Sequence, residues 1–96
     1  MRTIARITIP VEAGNRAVSD GTIGKLMMNA AEQWRPEAMY FTAFEGRRSA
    51  YMVFDMQDSA DLPAFAEPFF NELDAEVELA PVMNSEDLQR GLSQLG

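Results

Sequence analysis

Cysteine and histidine are both absent from this chain of 96 residues. Without cysteine there is no disulfide framework, no thiolate metal site and no thiol nucleophile. Without histidine the commonest general base and the commonest metal ligand are missing, so no metal is expected. Lysine occurs once, at Lys25, and tryptophan once, at Trp34. The six glycines are scattered, and no glycine-rich loop follows a strand, which argues against a bound nucleotide. No cofactor is expected. No apolar run is long enough to span a membrane, and Met1 to Pro10 lacks the apolar stretch of a signal peptide. The expectation is a cytoplasmic protein with no membrane partner.

What is present is enough for one domain, residues 1–96. At this size folding buries roughly two-thirds of the unfolded surface, and 47% hydrophobic residues suffice for a core. The net charge of −7 repels phosphate backbones, so nucleic acid is not an expected partner. Solubility alone accounts for such a surface.

Residues 39–56 read as a β-hairpin around a glycine-containing turn, with Glu45-Gly46 or Gly46-Arg47 as the loop. Before it, Arg2 to Ile9 reads as a strand, with Ala5, Ile7 and Ile9 on one face and Ile4, Arg6 and Thr8 on the other. Pro10 and Gly14 punctuate its exit, and Asn15 is the expected cap of a helix running to Trp34, loosened at Asp20-Gly21. Ile23, Leu26, Met27, Ala30, Ala31 and Trp34 form its stripe. Arg35-Pro36 ends it, because a residue before proline avoids the helical region.

After the hairpin, Ser59 is the expected cap of a second helix, with Pro63 in its first turn. Its stripe is Leu62, Phe65, Ala66, Phe69 and Leu73. Pro68 frees the carbonyl of Ala64 and is expected to kink the axis. A fourth strand covers Ala75 to Met83, and Pro81 assigns it to a sheet edge. A last helix after Asn84-Ser85 is expected to bury Leu88, Leu92 and Leu95. The order β-α-β-β-α-β with right-handed crossovers gives an α+β, ferredoxin-like domain. Its antiparallel sheet has order 4-1-3-2, two helices on one face and an extra C-terminal helix.

Phe41, Met52 and Phe54 fall on the hairpin face assigned to the helices. Tyr40, Phe44 and Tyr51 fall on the other, and this chain has little left to cover them. A second copy is the expected partner, since an exposed face of that kind is otherwise a large apolar patch.

Three segments, PEAMYFTAFEGRRSAYMVFDM (36–56), AEPFF (66–70) and APVMNSEDLQRGL (80–92), resemble a family of uncharacterised small bacterial proteins. The overall pattern resembles the dimeric α+β-barrel superfamily, whose members often pair their open sheet faces. That resemblance implies a homodimer. It also brings in relatives that are cofactor-free monooxygenases, isomerases, cyclases and haem enzymes, and fold alone does not choose among them. The lack of histidine speaks against the haem branch. RNA-recognition domains share the strand order, but Ala50 and Met52 stand where their stacking aromatics would be.

The open face therefore carries the candidate ligand residues Arg6, Tyr40, Thr42, Tyr51 and Glu78. Arg6 is the expected anchor for an anionic or enolic small molecule, the tyrosines its hydrogen-bonding neighbours, and Glu78 (or Glu76) the residue able to pair with Arg6 across strands. The competing reading is an interaction module whose face is filled by a partner, with Arg6 and Glu78 joined as a structural pair. Asp55, Asp58 and Asp61 lack the ligand count of a calcium loop, and Trp34 reads as packing.

Overall fold

Alternating apolar residues over Arg2–Ile9 build β1, which lies inside the sheet. The computed structural model describes residues 1–96. After β1 come α1 (Val11–Asp20), α2 (Thr22–Trp34), β2 (Ala38–Phe44), β3 (Arg47–Asp55), a short 3-10 turn (Ser59–Asp61), α3 (Leu62–Leu73), β4 (Glu76–Pro81) and α4 (Ser85–Ser93). The four strands run in the order β2-β3-β1-β4, every neighbouring pair antiparallel. This is the expected order read from the other edge, and the fold is ferredoxin-like α+β. Pro81 closes β4, an edge strand, where its missing N–H costs no ladder bond. No helix is long and apolar enough to cross a membrane.

The hairpin turn is Glu45-Gly46, with Phe44 opposite Arg47. Both loop residues have positive φ, 52° and 76°, as the right-handed strand twist requires of a two-residue turn. Odd-numbered residues of β1 and even-numbered residues of β3 face the helices. Ala5, Ile7, Ala50, Met52 and Phe54 are buried there against Ala17, Met27, Ala30, Phe65 and Phe69. Phe54 and Phe65 stack with centroids 4.8 Å apart, while Trp34 meets them at 5.7 and 5.6 Å. Trp34 is thus part of the core wall.

Several local expectations are corrected. The first helical segment begins at Val11, four residues before Asn15, with Pro10 at the cap position. Proline suits a helix start, because its absent N–H would have had no intrahelical partner there. Gly21, at φ 82°, then separates α1 from α2. Before α3 the capping side chain is that of Asp58, which accepts the Ala60 N–H, and Ser59 is already inside the turn. Pro68 does lie inside α3, as expected. Phe41 sits on the helix-side face, opposite Ala50, yet is 61% exposed, near the turn end of the edge strand β2. Leu62 is likewise exposed.

The largest correction concerns α4. Leu88, Leu92 and Leu95 are exposed, and no residue of the helix is buried. Asn84 and Asp87 form a reciprocal capping box, and Asp87 joins Arg2 at 2.9 Å. The molecule is correspondingly long, 54 Å in its greatest extent. Its radius of gyration is 15.0 Å, against about 12.5 Å for a globular chain of this length.

That tether is acid-sensitive. The Asn84 backbone N–H, then the Arg90 side chain, hold the Asp87 carboxyl below the usual carboxylate range, with Arg2 adding to the effect. A carboxyl whose folded value is depressed stabilises the fold above its unfolded value, near ~3.9. That contribution fades as pH falls through the folded value. Acidification below about pH 4 is therefore expected to release α4 while the core, built without carboxylates, persists. Amide NMR signals of residues 85–93 report this. Simultaneous loss of the α4 and Phe65 signals would show instead that the helix is not an independent unit.

Candidate functional site

The register places the candidate residues in one line. Tyr40 is opposite Tyr51, Tyr51 opposite Arg6, and Arg6 opposite Glu78, so a single row crosses all four strands on the face away from α1–α3. Side chains directly opposite one another share a face. On one side of this row lies an apolar one, Ala38, Val53, Ile4 and Ala80. On the other side run Thr42, Ser49, Thr8 and Glu76, and beyond them Phe44 and Arg47. Tyr40 is 69% exposed. Arg6 and Tyr51 are half-buried, whereas Thr42 and Glu78 are exposed. All five expected residues are thus on the open face.

The open face is not uniform. Thr8 and Ser49 are 2% and 3% exposed although no helix covers them. Two arginines account for this. Arg47 reaches from β3 across β1 to Glu76, 3.5 Å away, and so passes over Thr8. Arg6 reaches the opposite way, its guanidinium 3.9 Å above the ring centroid of Phe44 on β2, and so passes over Ser49. Cation–π contact of this kind stabilises a guanidinium by about 0.5–1 kcal/mol where solvent remains nearby.

Arg6 does not do what its position opposite Glu78 suggested. The two are Cα partners, but no ion pair forms between them. Its Nε is buried without a hydrogen-bond partner, and so is the Ser49 hydroxyl. Elsewhere Arg2, Arg16, Arg47 and Arg90 are in ion pairs, Arg48 donates to Asn15, and Arg35 is exposed. Arg6 is the half-buried arginine left without an acceptor. Arg47, Ser49 and Phe44 complete the surroundings of Arg6. The same alternation that assigns Tyr51 to this face puts Arg47 and Ser49 beside it.

A hollow of about 240 Å³ opens beside Arg6, lined by Ile4, Arg6, Tyr51, Glu78, Leu79 and Ala80. A larger one, about 780 Å³, lies at the end of the sheet beneath α4. Its charges are already committed: Arg2 to Glu37 and Asp87, Arg90 to Asp87, and Asp55 to the terminal amine and Gln57. The smaller hollow is therefore the chemically available one. Asp55, Asp58 and Asp61 do not gather into a metal cluster, since the first two are spent on Gln57 and on the 3-10 turn.

No curated protein matches the chain. A family described as a domain of unknown function (DUF3303) matches residues 27–96. That span includes Tyr40, Thr42, Tyr51 and Glu78 and omits β1 with Arg6. Nearly three-quarters of the chain is covered, and the protein belongs to this DUF3303 family.

Proposed function

We propose that this protein is a homodimer that pairs its open sheet faces and binds a small organic molecule between them. One observation carries the reading. An apolar row and a tyrosine row lie side by side on a face that α1–α3 leave bare, and a half-buried arginine without an acceptor stands among them. Ligand sites are mostly apolar surfaces with a few placed polar groups. A second copy is the natural cover, because the face offers its own complement. Apolar Ile4 and Val53 sit near its middle, and charges of both signs, Arg47, Glu76 and Glu78, lie toward its margins. The resemblance to the dimeric α+β-barrel superfamily supports the same arrangement.

Arg6, Tyr51 and Tyr40 are the ligand-facing groups in this reading, with Thr42 and Glu78 at the rim. Native mass spectrometry of the protein as purified tests it. The expected result is a dimer at twice 10.7 kDa carrying a retained small molecule that is released on denaturation. A ligand-free dimer would favour the interaction module, and a ligand-free monomer would overturn the proposal.

A further inference from the structure

We propose, building on the ligand-binding reading above, that the site takes a planar organic monocarboxylate. The first argument is the state of Arg6. Its guanidinium face is committed to Phe44 at 3.9 Å. With Nε buried, what the stacked guanidinium has left to offer is its outer edge, the two Nη groups, whose in-plane N–H donors match a carboxylate. No side chain of this chain supplies that carboxylate. Glu78 faces Arg6 without pairing, and Glu76 is held by Arg47.

The second argument is charge. Glu78 stands in the same row as Arg6, and Glu76 in the next. One positive group beside a negative neighbour suits a single negative charge and opposes two, so phosphate esters are disfavoured. The acidic surface of the whole chain, net −7, adds to that opposition.

Shape supplies the third. The ligand body must lie beside the guanidinium of Arg6, against Tyr40, Tyr51 and the neighbouring Thr42, a shallow surface of flat rings and a short side chain. The adjoining hollow of about 240 Å³ is below the usual range of roughly 300–1,000 Å³ for drug-sized ligands. A single ring with one carboxylate fits those limits.

Calorimetric titration of the full-length protein with benzoate, benzamide and inorganic phosphate tests the class. Benzoate is expected to bind about tenfold or more tightly than its neutral isostere benzamide, as a charged hydrogen-bonded pair is the stronger. Phosphate is expected to give no binding heat. Arg6→Met should erase the preference for benzoate over benzamide. Should that variant not fold, Glu78→Gln, at an exposed position, is expected to raise the preference for benzoate over benzamide. Equal affinity for benzoate and benzamide, or binding of phosphate, would overturn the carboxylate assignment while leaving a ligand-binding dimer in place. If neither aromatic probe binds but the purified dimer retains another ligand, only the assignment falls. If nothing binds and nothing is retained, the ligand-binding reading falls with it.

Discussion

Phe65→Ala is expected to remove most of the stability of the fold. Phe65 is 1% exposed and touches three other rings, stacking on Phe54 and meeting Trp34 and Phe69 at 5.6 Å each. Truncating a buried phenylalanine costs about 3–5 kcal/mol, since the cavity is only partly refilled. The total for a domain of this size is roughly 5–15 kcal/mol. The melting temperature should therefore drop by about 15 °C or more, or the variant should not fold. Phe70→Ala is the control. Phe70 belongs to the same helix but is 43% exposed, and its loss should cost no more than about 1 kcal/mol. Urea or thermal denaturation followed by circular dichroism separates the two. Similar losses in both variants would mean that the aromatic cluster is not the centre of the core.

Val53→Glu is expected to separate the fold from the assembly. Val53 sits on an inner strand, between Ala38 and Ile4, on the open face. In a single copy a glutamate there can turn its carboxylate to water, and the melting temperature of the monomer should hold. Between two paired faces the same carboxylate is buried without a partner, which costs about 3 kcal/mol or more. The dimer dissociation constant should rise about a hundredfold or more. Sedimentation of both proteins at micromolar concentration gives the answer. A Val53→Glu protein that stays as dimeric as the parent would show that the open face is not the contact surface.

The sheet was legible because strands have a period of two and connections have few choices. Alternation in Arg2–Ile9 and in the hairpin assigned the faces. Pro81 assigned an edge. Right-handed crossovers then put Tyr40, Tyr51, Arg6 and Glu78 on neighbouring strands. The start of α1 was hidden because Pro10 and Gly14 both look like breakers. Gly14 is instead a close approach: a Cβ there would stand 2.7 Å from Nη1 of Arg48 and 3.4 Å from Ile9. Periodicity also tells which residues share a side without telling whether anything covers that side. This is why Phe41 and the three leucines of the last helix were expected inside. The preference of Arg6 for Phe44 over Glu78 was out of reach for another reason. A long, flexible side chain chooses among several partners within its radius, and only coordinates decide among them.

The edge strand β2 has a consequence of its own. Ala-Met-Tyr-Phe-Thr-Ala-Phe, residues 38–44, contains no charge, no proline and no glycine, and both its central aromatics are exposed, Tyr40 on one face and Phe41 on the other. Natural edges are usually blunted by a lysine, a proline or a bulge. This one has none within it, and seven uncharged residues of high strand propensity are the signature of a cross-β segment. Chains that lose their native contacts thus expose β2 as the segment best suited to add strand to strand along a fibril axis. A destabilised variant therefore carries its strand-addition site in β2, and Glu37 and Glu45, which flank the segment directly, are the nearest charges opposing it.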